Sequence, residues 1–276
     1  MDSGLFHDSG AIRRIAREGA VLGGAGYAVL MQVAHPAVAR GVHRHSDFAR
    51  RPLGRLRGTL GYVYAVIFGT REEAGRVSRR VRAAHRHVVG DGYDAGDPEL
   101  QLWVAATLYH AAVTVYQRAV GPLEPADLDE AYRQYAVLGT SLGLPQELWP
   151  ATRADFAAYW EAEVAALRVG DEARGIAEQL FRPRQVALRP ATALQRFLTA
   201  GLLPPKVRAQ YGLAWGPVRE LALRALFAAL RLAWPLLPAA LREFPMRRSL
   251  RLLRDRSWLR RRRHDGGRRV AVGARG

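Results

Sequence analysis

Eight histidines and no cysteine limit the metal and nucleophile chemistry open to this chain of 276 residues. Without thiolates, the chain cannot form disulfides, iron–sulfur clusters, cysteine zinc sites or a cysteine nucleophile. The close pairs His43/His45 and His85/His87 are two residues apart, whereas a helical zinc site needs an i, i+4 spacing. Nucleophile elbows, P-loops and paired acids of defined spacing are also absent from the sequence. The remaining candidates are single histidines and their neighbours.

His85 shares an apolar helix face with three valines, because positions 77, 81, 85 and 88 follow the i, i+4, i+8, i+11 spacing. His87 points away from that face. Arg82 lies on the same side one turn earlier, and an arginine on a buried face needs an anion, either a carboxylate or an acid group of a ligand. The pair indicates a ligand pocket; a hydrogen-bonded core histidine is the alternative.

Two further features place polar side chains where they could bind a ligand. Arg55 and Thr59 are four residues apart, so on a helix they share a face that can hold an anion or an oxygen ligand. The alternative is a surface arginine with a threonine that bonds back to a carbonyl. His35 precedes Pro36, which predicts a helix end, where the ring nitrogens can serve a cofactor, a proton or a backbone carbonyl.

The elements that must position these residues are helices almost throughout. Thr70-Arg-Glu-Glu73 is a capping box, and Asp97-Pro98-Glu99 begins a helix that extends to about Ala119. Further helices are predicted over 126–142, 152–167, 171–181, 191–202 and 218–232. The prediction is an all-α protein with one domain over residues 1–245, followed by a poorly ordered, arginine-rich tail over residues 246–276. His110, with Thr107 and Thr114 on its face, is interpreted as part of a threonine-lined core.

The basic charge is concentrated at the end of the sequence. The formal net charge is +17, and residues 247–276 contain twelve arginines against Asp255 and Asp265. Such a tail is compatible with nucleic acid, with an anionic membrane surface or with counter-ions alone. Nucleic acid is the least favoured of these partners. The sequence does not alternate aromatic and basic residues as nucleic-acid-binding segments do, and it contains no recognisable helix for contacting base edges.

The longest uncharged stretch covers residues 19–39, which is long enough for a transmembrane helix. It contains Gln32, His35 and Pro36, which favour a core helix beside a ligand pocket over a lipid-facing one. The first residues lack the basic region of a secretory signal. We therefore expect a cytoplasmic protein, with peripheral membrane contact through the arginine-rich tail as the alternative location.

Taken together, six segments resemble the family of MpaB-type oxygenases and latex-clearing proteins, the rubber oxygenases. The segments occur in one order over residues 10–160. They are Leu30-Met-Gln-Val-Ala-His35-Pro-Ala-Val, His45-Ser46-Asp-Phe48, Arg55-x-x-x-Thr59, Phe68-Gly69-x-x-x-Glu73-Ala, Arg82-Ala-Ala-His85 and Tyr93-x-Ala95-x-Asp97-Pro98-Glu99-Leu-x-x-Trp103-Val. The resemblance implies an all-helical haem-b protein with distantly globin-like packing around a haem pocket.

The resemblance also implies roles for individual residues. His85 corresponds to the histidine that binds the haem iron, and Arg82 can pair with a propionate. Arg55 and Thr59 correspond to the pair beside the haem, and either bound oxygen or a propionate is open as the partner of Arg55. His35 is expected on the distal side.

Two departures from the family pattern concern the substrate. Many relatives read Trp-Val-His-Ala-Thr where this chain has Trp103-Val-Ala105-Ala-Thr107, so a haem-side histidine is missing unless His110 or His35 replaces it. The rubber enzymes also use a glutamate upstream of the Arg–Thr pair, and Asp47 is the only acid between His35 and Arg55. These departures argue against polyisoprene cleavage.

The sequence therefore predicts a haem-b-dependent oxygenase that uses dioxygen on a hydrophobic small molecule, of isoprenoid or lipid type. The alternative is a non-enzymatic haem- or lipid-binding helical protein at a membrane surface.

Overall fold

The computed structural model describes residues 4–45, 52–182 and 186–255, and for residues 52–56 the backbone alone. In this part of the chain, fourteen α-helices and one two-stranded antiparallel sheet form a single all-α domain, as predicted. The helices are α1 (Ala11–Arg17), α2 (Ala25–Ala34), α3 (Pro36–His45), α4 (Pro52–Phe68), α5 (Arg71–His85), α6 (Pro98–Ala119), α7 (Pro125–Thr140), α8 (Arg153–Ala166), α9 (Asp171–Phe181), α10 (Arg189–Leu202), α11 (Pro205–Gln210), α12 (Pro217–Ala233), α13 (Ala239–Arg242) and α14 (Phe244–Arg254).

Local capping residues set the starts of the helices that carry the site. The Thr70 hydroxyl accepts a hydrogen bond from the Glu73 backbone N–H at 3.1 Å, and the Glu73 carboxylate accepts one from the Thr70 N–H at 3.0 Å. The Asp97 carboxylate accepts from the Glu99 N–H at 2.8 Å at the start of α6. Each cap satisfies backbone N–H groups that the first helical turn leaves without a partner.

The core is built around α2 and α6. With 22 residues α6 is about 33 Å long, and it packs against α2, α7, α12 and the 3₁₀ segment Gly19–Gly24. Most residues of α2 are buried, including Tyr27, Leu30 and Met31. The uncharged stretch of the sequence is therefore largely core in this fold.

Among the described helices, none alone combines the length and the apolar composition needed to cross a membrane. The helical residues 19–34 and α3 together reach that length and composition, but they are bent by 106° where they meet.

A short β-hairpin was not predicted. Strands β1 (Val89–Gly90) and β2 (Tyr93–Asp94) pair antiparallel between α5 and α6. Gly92 adopts a φ of 71° at the turn, a conformation that L-residues rarely adopt. Strands of two residues are too short to produce the alternating pattern from which strands are recognised.

Helix α14 crosses the domain boundary that we predicted at residue 245. Residues 244–254 are helical and pack on α4, so this portion differs from the poorly ordered tail expected from residue 246 onwards. Met246, Leu250 and Leu253 recur at helical spacing and form a partly buried face, which explains why the segment packs despite its arginines. The remainder of the predicted tail, residues 256–276, lies outside the described residues.

Candidate functional site

Helices α4 and α5 form a helical hairpin, and one end of it carries four of the five predicted site residues. Gly69 and Thr70 alone separate the two helices, which pack against each other and therefore run antiparallel. At 1.5 Å per residue, Arg55 and His85 lie about 22 and 23 Å from this turn, and Thr59 and Arg82 about 16 and 19 Å from it. The fold thus brings Arg55, Thr59, Arg82 and His85 to the same end of one hairpin.

The exposure of these residues differs. His85, the last residue of α5, is partly buried, whereas Arg82 and Thr59 are exposed. Arg55 lies in α4 at the predicted i, i+4 spacing from Thr59, but its side chain lies outside the described residues. His87 follows the helix end and is exposed, so of the His85/His87 pair only His85 faces inward.

Tyr62, in the middle of α4, connects the hairpin to the helix bundle. Its buried hydroxyl donates a hydrogen bond to the Leu138 carbonyl of α7 at 2.5 Å. Burial raises the pKa of Tyr62, and the positive charge of Arg82 acts in the opposite direction.

Ala105, where the family resemblance implies a histidine, lies between α6 and α7. A Cβ placed on Gly139 of α7 would be 3.4 Å from the Cβ of Ala105, an ordinary packing distance. Ala105 is 4% exposed, so a larger side chain at this position would have to displace its neighbours.

A cavity of about 650 Å³ lies beside the β-hairpin, within the size range of small-molecule sites. The β-hairpin, the first two turns of α6 and one face of α8 form its walls. Its apolar and aromatic lining residues are Ala37, Val89, Tyr93, Leu100, Leu102, Trp103, Leu148 and Tyr159. Of the five predicted site residues, His35 lines this cavity, while Thr59, Arg82 and His85 are not among its lining residues.

His35 sits at the bend between α2 and α3, as its position before Pro36 predicted. Its backbone is extended, with φ −78° and ψ 121°, and its ring lines the cavity. The ring Nδ1 is buried and has no hydrogen-bond partner among the described residues. Burial, assisted by the positive charge of Arg40, lowers the pKa of His35. The His35 imidazole is therefore neutral at neutral pH, and its Nδ1 is enclosed by the protein.

The polar part of the cavity wall is acidic. Asp94, Asp97, Glu99 and Glu163 all line it. Burial, together with the charge of Glu99, raises the pKa of Glu163. In contrast, the second half of α5 and the residue that follows it are basic, with Arg79, Arg80, Arg82 and Arg86. An anionic group is thus favoured at the end of the α4–α5 hairpin and disfavoured in the cavity.

His110 belongs to a separate, partly buried network behind the cavity wall. Its Nδ1 lies 2.9 Å from the Tyr27 hydroxyl and 3.4 Å from the Thr114 hydroxyl. Its ring stacks on Trp160, which in turn stacks on the cavity residue Trp103 at a centroid distance of 5.3 Å. Burial lowers the pKa of His110 to about 4, so the ring is neutral at physiological pH. This arrangement matches the interpretation of His110 as a core residue.

His110 also lies on a different side of α6 from Ala105. Five residues along an α-helix correspond to a rotation of about 140°. His110 is directed towards Tyr27 and Trp160, and Ala105 towards Gly139. His110 and Ala105 therefore face different neighbours, and His35 is the histidine that lines the cavity.

The sequence analysis missed Trp103, Tyr159 and Glu163 as cavity residues. Tyr159 and Glu163 have the i, i+4 spacing of one helix face, a signal that was available in the sequence. Their approach to His35 depends on how α8 packs, which local patterns do not contain. The sequence indicates Trp103 only as part of the family segment that begins at Tyr93.

Within the described residues, no group of three or more histidine, aspartate or glutamate side chains is arranged to hold a metal ion. A haem needs only an imidazole from the protein, because the macrocycle supplies the other iron ligands. The donor set at the hairpin end, an imidazole with arginines nearby, is chemically suited to an iron porphyrin with two acidic side chains.

Comparison with known proteins identifies the family of the chain. The family model described as "ER-bound oxygenase mpaB/B'/Rubber oxygenase, catalytic domain" matches residues 12–232. Two similar proteins are the uncharacterized proteins Mb2261 of Mycobacterium bovis and Rv2237 of Mycobacterium tuberculosis. Each is 34% identical over 223 residues, which cover 76% of this chain and 87% of the relative. No solved structure matches the chain significantly.

Proposed function

Because the chain belongs to the mpaB and rubber-oxygenase family and has its oxygenase-type catalytic domain, we propose that it is a haem-b-dependent oxygenase acting on a hydrophobic substrate. The observation that carries the proposal is the position of Arg55, Thr59, Arg82 and His85 at one end of the α4–α5 hairpin. The family match supports the oxygenase class, and the haem and the substrate type are the proposal.

The residues at the hairpin end have distinct tasks in this proposal. The partly buried imidazole of His85 binds the iron from the end of α5. The Arg82 guanidinium, exposed one turn earlier, neutralises a propionate carboxylate. Arg55 and Thr59, four residues apart on α4, would hold either a second propionate or dioxygen. When bound, the haem supplies the iron at which dioxygen is activated.

The cavity is the proposed place of the substrate. Its aromatic and aliphatic walls favour an apolar molecule, and its acidic wall disfavours a carboxylate-bearing substrate such as a fatty acid. The His35 imidazole is the group that accepts or returns a proton there, because it is neutral and His35 lines the cavity. We therefore propose a neutral substrate of isoprenoid or lipid type.

The test is an absorption spectrum of the protein produced with haem precursor, compared with His85→Ala and His87→Ala. The proposal predicts a Soret band at one haem per chain that is lost in His85→Ala and restored when imidazole is added. His87→Ala is the matched control, since His87 is exposed two residues further on and should leave the band unchanged. A protein that stays colourless during haem titration would overturn the proposal.

Oxygen consumption then separates the oxygenase from a non-enzymatic haem or lipid carrier. A panel of neutral isoprenoid lipids and the corresponding carboxylic acids is offered to the haem-loaded protein. The proposal predicts consumption with neutral lipids and much less with the acids. If the protein binds haem but consumes no oxygen with any of these lipids or acids, the result would favour a non-enzymatic haem or lipid carrier.

A further inference from the structure

A proline-containing segment between α12 and α14 presents leucines to solvent. We call residues 235–241, which include most of the short helix α13, the leucine loop. Leu236 is 83% exposed, Leu241 is 62% exposed, and Leu237 between them is also exposed. Monomeric proteins rarely leave several large aliphatic side chains together in water without a binding function.

Both ends of the leucine loop are fixed to one buried carboxylate. Glu18, which is 6% exposed, accepts a hydrogen bond from Trp234 Nε1 at 2.7 Å and pairs with Arg242 Nη1 at 2.9 Å. The loop therefore begins and ends at the same point of the domain. The leucines between Trp234 and Arg242 are exposed to solvent.

The backbone next to Glu18 packs tightly against the end of the leucine loop. A Cβ on Gly19 would lie 2.8 Å from the Arg242 carbonyl oxygen and 3.2 Å from Pro245 Cγ. Pro235 and Pro238 restrict the backbone within the loop itself. Since the loop is held in this way, its leucines are a fixed feature of the surface.

The helices on both sides of the loop are rich in basic residues. From 221 to 255 the sequence contains two acids, Glu243 and Asp255, and Glu243 is paired with Arg247. Arg231, Arg248 and Arg251 are exposed, and none of them forms an ion pair within the described chain. By sequence, residues 256–276 add eight arginines against one aspartate. The positive charge disfavours a second copy of this surface as the partner and favours an anionic one.

We propose that the leucine loop inserts into the surface of an anionic lipid bilayer while the surrounding arginines contact the lipid headgroups. Apolar side chains inserted at the headgroup boundary, combined with basic residues beside them, are the two contributions that hold peripheral proteins on such membranes. The inference concerns a surface separate from the cavity and does not depend on haem binding.

The absence of cysteine allows a direct test on the full chain. Leu236→Cys is labelled with an environment-sensitive fluorophore and mixed with vesicles of phosphatidylcholine alone or of equal parts phosphatidylcholine and phosphatidylglycerol. The proposal predicts a blue shift and an intensity increase with the anionic vesicles that weaken as salt is raised. Val218→Cys is the matched control, because Val218 is 81% exposed at the opposite end of α12.

A second variant separates insertion from charge attraction. Leu236→Ser/Leu237→Ser/Leu241→Ser should keep the melting temperature, because these side chains are exposed, yet reduce vesicle binding at least about tenfold. Unchanged vesicle binding by this variant, or an equal fluorescence response at positions 218 and 236, would overturn insertion of the loop. A blue shift that grows with protein concentration in the absence of vesicles would instead identify a second copy of the chain as the partner.

Discussion

The imidazole of His110 lies flat against the indole of Trp160, with ring centroids 4.1 Å apart and ring planes inclined by 6°. This contact joins α6 to α8 directly behind the cavity wall, because Trp160 also stacks on Trp103. A neutral imidazole is compatible with this apolar surrounding, whereas a protonated one would have to give up its hydration there. The position of the wall is thus coupled to the protonation of His110.

The first prediction concerns acid stability. Burial lowers the pKa of His110 from the ordinary value of 6.5 to about 4, so between these values the unfolded chain binds a proton that the folded protein does not. Stability is therefore lost as the pH falls from 6.5 towards 4. The contribution amounts to about 2 kcal/mol between pH 8 and pH 5.

Urea denaturation of the parent and of His110→Phe at these two pH values measures this contribution. Phenylalanine keeps the stacking on Trp160 but cannot titrate, so the pH-dependent loss should be about 2 kcal/mol smaller in the variant. His87→Gln, at an exposed site, should retain the dependence of the parent. Equal pH dependence in the parent and His110→Phe would contradict the assignment.

The second prediction concerns the anchor at Glu18. Its carboxylate accepts hydrogen bonds from both Trp234 and Arg242. Glu18→Ala leaves an indole N–H and a partly buried guanidinium without an acceptor, which should lower the free energy of unfolding by about 2–4 kcal/mol. Glu18→Gln should lose less, because its amide oxygen still accepts one bond. Urea denaturation checks both values, with the exposed Glu161→Ala as the control; equal losses in Glu18→Ala and Glu161→Ala would contradict the role of the anchor.

The helices could be predicted from the sequence because their signals are local. Asp97 and Thr70 cap helices through their own neighbours in the chain, and the structure confirms both starts. The predicted α9 agrees at both ends, Asp171 and Phe181. These signals do not depend on how the helices pack.

The cavity and the stack behind it could not be predicted from local signals. His110 and Trp160 are fifty residues apart, and their contact depends on the packing of α8 beside α6. Likewise, His35 could be placed at a helix end by Pro36, but its approach to Glu163 is a tertiary property. The four residues of the hairpin end were predicted as two separate pairs by helical spacing and by resemblance, and the short turn at Gly69 and Thr70 explains why the two pairs lie at one end of the hairpin.

The third prediction concerns the position where relatives carry a histidine. Ala105→His forces an imidazole into the contact with Gly139, so we expect a loss of stability of about 1–3 kcal/mol and no gain in haem affinity. Thermal unfolding and haem titration measure the two effects. Val104→His, at the neighbouring and less buried position, should cost less. Tighter haem binding by Ala105→His at unchanged stability would mean that the α6–α7 contact can open.

The fourth prediction separates His35 from His85. His35→Gln keeps a polar side chain in the cavity but cannot transfer a proton at neutral pH. We expect an unchanged Soret band and a fall in substrate-dependent oxygen consumption of about a hundredfold. His85→Ala should lose the band itself. Loss of the Soret band in His35→Gln, or unchanged consumption, would contradict the division of tasks between the two histidines.

The pH profile of the parent enzyme tests the same role of His35 without removing it. Burial and the Arg40 charge lower the pKa of His35 below its ordinary value of 6.5, so activity should fall only when the pH drops below 6.5. Arg40→Gln removes a positive charge near the ring and thereby raises the pKa of His35. The acidic limb of kcat/KM should consequently move to higher pH in Arg40→Gln, and it should be absent in His35→Gln. An acidic limb at the same pH in all three proteins would assign it to another group.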